Sequence, residues 1–258
     1  MTLVDTHVHF HFPDFSGDRK EAIERARRAG VKFFINVGTN PETSGLSLEL
    51  ARQEEGFFAS AGFHPHDAST FSSEQLSAWE EMARHKKMVA IGEVGLDFFR
   101  SLSSRADQEK TFRAACSLAR KINKPLILHV RDAFDEIFRI LEEEFQGGWR
   151  GVFHCFSGDR KAMRQAVQFG FHISFSGILT YKRNDEIRQA AQEAPQDRIL
   201  LETDAPYLPP QSKRGKRNEP EFMIETAQCL ADVRGVTLDE IARQTTLNAS
   251  NLFQLELS

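Results

Sequence analysis

Two histidines, His7 and His9, stand one residue apart in the stretch Val4-Asp5-Thr6-His7-Val8-His9-Phe10. In a strand alternate side chains share a face, so both imidazoles project to one side, roughly 7 Å apart along the chain. Two imidazoles so placed suit one metal ion, and the competing reading is a histidine pair at a strand end held by hydrogen bonds alone. The metal reading gains from what lies downstream, where ligand-type residues end further apolar runs. These are Gly62-Phe63-His64-Pro65-His66, Gly92-Glu93-Val94-Gly95-Leu96-Asp97, His129-Val130-Arg131-Asp132, His154-Cys155-Phe156-Ser157-Gly158 and Glu202-Thr203-Asp204-Ala205-Pro206. Six of the nine histidines fall at such ends, whereas His11, His85 and His172 do not and read as surface or structural.

That many nitrogen and oxygen ligands, without a thiolate, exceed a mononuclear catalytic zinc site and suit hard or borderline divalent ions. Two cations about 3.5 to 4 Å apart would use them all and would need a bridging carboxylate. Glu93 reads as that bridge, ending a buried apolar strand between glycines whose missing side chains would leave room for ions. A salt bridge to a neighbouring strand is its alternative. No lysine ends a strand as a carbamate bridge would require, since Lys86 and Lys87 begin theirs. Asp204 reads both as a ligand and as the base that takes a proton from an attacking water. Glu202, two residues earlier on the same face, is expected to orient a histidine, and Asp5 occupies the equivalent place below His7. Cys155 faces away from His154 and reads as structural rather than nucleophilic. The whole scheme requires Glu93 and Asp204 to lie within about 10 Å of the His7 imidazole.

A second theme is phosphate recognition. The basic run Lys213-Arg214-Gly215-Lys216-Arg217 follows the Asp204 strand, in the loop region where barrels commonly bind phosphate. Arg131, on the same strand face as His129, and Lys182 are further candidates to reach a phosphodiester. For stacking of bases the strand ends offer Phe10, Phe12, Phe63, Phe98, Phe99, Phe156 and Tyr207, most of which read as wall packing.

Positioning these groups requires a repeated strand-then-helix scaffold, and the sequence has one. Strands are predicted at Leu3 to His9, Val31 to Val37, Phe57 to Gly62, Met88 to Gly92, Pro125 to Leu128, from Gly151, Phe171 to Phe175 and Arg198 to Leu201. Helices lie between them, with start signatures at Thr39-Asn40-Pro41-Glu42, Ser72-Ser73-Glu74-Gln75 and Thr237-Leu238-Asp239-Glu240. The helix from Ala133 is predicted to run to Phe145, and the final one to about Asn248. Eight such units read as an α/β (β/α)8 barrel with extra C-terminal helices. An open doubly wound sheet is disfavoured, because no Gly-x-Gly-x-x-Gly follows the first strand.

The 258 residues fit one domain over 1–258, and a formal charge of -4 argues against a generally basic nucleic-acid coat. Any polyanion must be met locally. Three widely spaced cysteines point to a reducing compartment, and the first apolar run is interrupted by Asp5 and the histidines, so a cytoplasmic protein without membrane association is expected.

The ordered motifs, with Arg217-Asn218-Glu219-Pro220 before the last helices, resemble those of the TatD-type metal-dependent deoxyribonucleases over nearly the whole chain. The resemblance implies a distorted TIM barrel of the amidohydrolase superfamily, with magnesium, or manganese, zinc or another divalent cation, as cofactor. It implies exonucleolytic cleavage of DNA, often from the 3′ end. The ligand set together with the basic rim points to single-stranded or frayed ends as the substrate, and the chain is expected to act as a monomer. By motif, His7, His9, Glu93 and Asp204 would hold one ion and Glu93, His129 and His154 the other. His64, Arg131 and Arg217 would fall to substrate phosphates. One departure is Phe98-Phe99 after Asp97, where the family more usually has Tyr-Tyr. The same superfamily scaffold also hydrolyses amides and lactones, so a small-molecule amidohydrolase or esterase is the alternative activity.

Overall fold

Strands that are apolar on both faces must pair into a sheet with helices over its outside. The computed structural model, which describes residues 1–144 and 147–257, shows this arrangement. Eight parallel strands pair in chain order: β1 (Leu3–Val8), β2 (Val31–Val37), β3 (Phe57–Ala61), β4 (Met88–Asp97), β5 (Leu126–Arg131), β6 (Gly151–Phe153), β7 (His172–Phe175) and β8 (Ile199–Leu201). The segment after β8 returns to β1, with Asp204 N donating to the His7 carbonyl at 2.8 Å and His9 N to the Ala205 carbonyl at 2.9 Å. The result is a nearly closed (β/α)8 barrel. Helices α1 (Arg19–Arg28), α2 (Pro41–Gln53), α3 (Ser73–Ala83), α4 (Arg105–Ile122), α5 (Phe134–Glu143), α6 (Arg160–Gln168) and α7 (Asp185–Glu193) alternate with the strands. Two more, α8 (Met223–Arg234) and α9 (Leu238–Phe253), follow the last.

Two apolar layers hold the barrel. One lies between strands and helices. The other gathers Val4, Ile35, Val89, Ile127, Val152 and Leu200 from six strands with Leu252, Phe253 and Leu255, so the end of α9 closes the barrel interior at the N-terminal ends of the strands. Polar side chains are left to the opposite end. No helix among the described residues is long and apolar enough to cross a membrane.

Several boundaries differ from the sequence reading, β5 among them, which runs on to Arg131. Helix α2 is capped by Asn40 rather than Thr39: Asn40 Oδ1 accepts from Thr43 N and Thr43 Oγ1 from Asn40 N, both at 2.9 Å. Pro41 is pre-set for the first helical position, which makes the residue before it the cap. Helix α9 runs beyond Asn248 to Phe253, while Phe145, where α5 was expected to end, lies outside the described residues. The largest change is β4, which continues through Gly92 to Asp97. A Cβ at Gly92 would lie 2.6 Å from the Ile127 carbonyl oxygen, and one at Gly95 2.0 Å from that of His129. The glycines flanking Glu93 therefore make room for the backbone of β5, not for ions.

Candidate metal centre

Glu93 projects from β4, 4% exposed, and its two oxygens face different groups. Oε2 lies 3.3 Å from His7 Nε2 and 3.9 Å from His9 Nε2, both from β1 and the residue just after it. Oε1 lies 3.0 Å from His154 Nε2, 2.9 Å from His129 Nδ1 and 3.3 Å from His64 Nε2. Asp204 Oδ1 completes the first group, 3.7 Å from His7 Nε2 and 3.5 Å from His9 Nε2. Its backbone is left-handed, φ +58°. Six segments distant in sequence thus converge at the C-terminal end of the barrel, where such folds collect their chemistry.

The outward ring nitrogens fix what the inward ones offer. A carbonyl or carboxylate oxygen only accepts, so a ring nitrogen against it carries the proton. His9 Nδ1 meets the Val37 carbonyl at 2.8 Å, His154 Nδ1 meets Glu202 Oε1 at 3.3 Å, and His129 Nε2 meets Asp97 Oδ2 at 3.1 Å. With a cation in place of the inner protons, each ring would turn a lone pair toward it. His7 and His9 set Nε2 against Nε2 at 3.2 Å, and His154 Nε2 stands 3.3 Å from His129 Nδ1. Among the described residues, every ion-pair partner of Glu93 and Asp204 is a histidine, with no lysine or arginine to neutralise these buried carboxylates. Converging lone pairs and buried anions with nitrogen and oxygen donors fit a divalent cation. His7, His9 and Asp204 form one group able to hold a cation, and His64, Glu93 and His129 another; His7, His154 and Glu202 form an overlapping third.

Without a cation the same groups neutralise one another. Burial disfavours charge on Glu93, but His154, His64 and His7 outweigh it and hold the carboxyl well below its usual range. Burial likewise works against charge on His154, yet Glu93 and Glu202 push this ring well above 6.5. His64 is driven down to about 4, chiefly by burial. Asp5, fully buried, is pushed up to about 7 by burial.

Of the other sequence candidates, Glu202 contacts His154 and also accepts from Cys155 N at 2.6 Å. Among the described residues Asp5 is bonded to no imidazole: it accepts from Thr203 N at 3.0 Å and His7 N at 3.2 Å, clasping the seam between β1 and β8. Cys155 Sγ lies 3.1 Å from Ser176 Oγ, and burial raises its thiol pKa. His64, expected among phosphate contacts, stands 3.3 Å from Glu93 Oε1. Arg131 and Lys182 are exposed and make no ion pair among the described residues. Arg217 must be reassigned. Its guanidinium donates to Asp18 Oδ1 and Oδ2 at 2.7 Å and Glu219 Oε1 at 2.8 Å, and lies 4.5 Å from the Phe15 ring centre. It ties the loop after β8 to the start of α1.

Two groups were missed. Asp97, 1% exposed, accepts from His66 Nε2 at 2.9 Å as well as from His129. Its signal was present: Glu93, Gly95 and Asp97 alternate onto one strand face. Asn218, also buried, brackets the Asp204 turn by donating to the carbonyls of Thr203 at 2.8 Å and Tyr207 at 2.6 Å.

The family model described as TatD related DNase matches residues 4–254. The uncharacterized metal-dependent hydrolase YabD of Bacillus subtilis (strain 168) is 37% identical, covering 98% of this chain and 99% of that protein. A 3′-5′ ssDNA/RNA exonuclease TatD of Erwinia tasmaniensis is 39% identical, over 98% of this chain and 100% of the relative. The crystal structure of YJJV, a TatD homologue from Escherichia coli K12, superposes with a TM-score of 0.93 at 33% identity over 98% of each chain.

Proposed function

Because the chain belongs to the family of TatD-related DNases and is a metal-dependent hydrolase, we propose that it removes nucleotides from the 3′ ends of single-stranded or frayed DNA. The observation that carries this reading is Glu93, whose two oxygens face two separate histidine groups, as a carboxylate shared between two cations would. In the proposed assignment His7, His9, Glu93 and Asp204 hold one ion, and Glu93, His129 and His154 hold the other, with His64 beside them. When bound, divalent cations such as Mg2+ or Mn2+ polarise the phosphate and acidify the attacking water. Asp204 takes the proton of that water, Glu202 keeps His154 Nε2 turned inward, and Asp97 does the same for His129 Nδ1.

The rim supports a polyanionic substrate. Arg131 at the end of β5, and Lys182, Arg214 and Lys216 in the segments following β7 and β8, are exposed, and none is ion-paired among the described residues. Arg214 stacks 4.8 Å from the Tyr181 ring centre, which joins the two loops that carry Lys182 and Lys216. Residues 1–258 are read as one domain acting as a monomer in the cytoplasm.

The test is mononucleotide release from a 3′-labelled single strand with Mg2+ or Mn2+, by wild type and by Glu93→Ala and Asp204→Ala. Loss in both variants supports the proposal; no release by wild type, or undiminished release by the variants, overturns it. Neutralising Lys182, Arg214 and Lys216 should weaken cleavage and flatten its salt dependence, each lost phosphate contact lowering the slope by about 0.7 for single strands. A small-molecule amidohydrolase would keep its activity through those changes.

A further inference from the structure

Of 22 phenylalanines, two tryptophans and two tyrosines, the described residues expose only Phe99 and Tyr207, at 58% and 53%. The other aromatic candidates near the strand ends are wall: Phe10, Phe63 and Phe156 are buried, and Phe12 and Phe98 half-buried. Both exposed rings stand on segments leaving the strands that carry the acids, Phe99 two residues beyond Asp97 and Tyr207 three beyond Asp204. In a barrel with strands in chain order, β4 and β8 lie across from each other, so the rings flank the mouth on opposite sides.

Phe99 is the better defined of the two. The pairing of β4 with β5 sets Asp97 beside Arg131, and the Arg131 guanidinium lies 4.0 Å from the centre of the Phe99 ring. Arg131 is two residues beyond His129, so the stacked pair stands one strand repeat, roughly 7 Å, above the histidine layer. The loop beneath is pinned. Phe98 N donates to the Arg131 carbonyl at 2.9 Å, Arg100 N to Asp97 Oδ1 at 2.7 Å and Ser101 Oγ to the Phe98 carbonyl at 3.0 Å. Arg105 packs 4.1 Å from the Phe98 ring centre.

A large apolar ring on a pinned loop, stacked on a guanidinium and 58% exposed, forgoes burial that nearly every other aromatic side chain among the described residues obtains. The ligand that recovers it must be flat, must accept a ring at van der Waals distance, and must carry a phosphate into the site below. Nucleobases meet all three conditions. A phenyl ring offers no hydroxyl, so it selects for a base without selecting which base.

We propose that Phe99, backed by Arg131, is the stacking platform for the nucleobase adjoining the scissile phosphate. The proposal rests on the nuclease reading above and adds the recognised part of the substrate. Pre-ordering of the loop means that little side-chain freedom is lost on binding.

The test compares two 3′-labelled single-stranded oligonucleotides, one intact and one whose last two nucleotides are abasic tetrahydrofuran residues, with wild type, Phe99→Ala and Phe99→Trp. Base stacking of this kind is worth on the order of a tenfold effect or more. Wild type should therefore cleave the intact strand with a kcat/KM about tenfold above the abasic one, mostly through KM. In Phe99→Ala that ratio should collapse towards one, and in Phe99→Trp it should persist. A ratio retained by Phe99→Ala, or a wild type that cleaves both strands equally, overturns the platform and leaves the nuclease reading standing. Failure of wild type to cleave either strand overturns the nuclease reading itself.

Discussion

Replacing Asp97 with asparagine should weaken divalent-cation binding by about 10- to 100-fold, the range for losing the partner that orients a ligating histidine. In the structure Asp97 Oδ2 receives His66 Nε2 at 2.9 Å and His129 Nε2 at 3.1 Å, while Oδ1 receives Arg100 N at 2.7 Å. An asparagine that keeps the Arg100 contact presents its NH2 group to both rings. His129 would then have to accept at Nε2, which moves its proton to Nδ1, the nitrogen 2.9 Å from Glu93 Oε1. A proton there removes one lone pair from the second cation group. An asparagine turned the other way keeps His129 but sets NH2 against Arg100 N. Either arrangement loses an interaction, at a cost of about 1.4 to 2.7 kcal/mol for the stated range. The assay is a Mn2+ titration by calorimetry, with the circular dichroism spectrum as control for folding. An unchanged affinity in a folded Asp97→Asn would refute the reasoning that the carboxylate fixes the His129 tautomer.

Asn218→Ala should destabilise the protein by about 1 to 3 kcal/mol, because it strips a donor from the buried carbonyls on either side of the Asp204 turn. Urea unfolding measures it, and a loss within about 0.5 kcal/mol, as for an ordinary surface change, would count against the staple. His172 supplies a pH dependence away from the site. It is 7% exposed, and burial pushes its pKa down to about 4 from 6.5. The unfolded chain binds this proton first, so stability is complete above pH 6.5 and falls as the pH drops towards 4. At pH 5 the loss amounts to about 2 kcal/mol. Unfolding midpoints of His172→Leu at pH 7 and pH 5 should differ by less than those of the wild type, and equal losses in the two proteins would contradict this.

The barrel was legible because its signal is periodic: short apolar runs ending in ligand residues, separated by capped helices. Ser72 and Thr237 cap α3 and α9 as their spacing implied, through side-chain contacts local in sequence. What was not legible depended on partners far away. Gly92 and Gly95 looked like a strand end beside space for ions, because nothing local reveals the β5 backbone pressed against them. With β4 ended too early, Asp97 lost its place on the face of Glu93. Arg217 read as a phosphate contact because it sits in a basic run, whereas Asp18, some 199 residues away in sequence, occupies its guanidinium. Which aromatic rings are wall and which are open was likewise invisible, since burial of a phenylalanine at a strand end depends on the helix packed behind it.

The most direct test of the shared-carboxylate centre is anomalous diffraction from crystals soaked in Mn2+, with a Glu93→Ala crystal alongside. Two peaks about 3.5 to 4 Å apart, one on each side of the Glu93 carboxylate, are the expected result. The first should contact His7, His9 and Asp204, the second His129 and His154, and the pair should be diminished in the variant. A single peak clear of Glu93, or wild-type and Glu93→Ala crystals with the same density, would contradict the account.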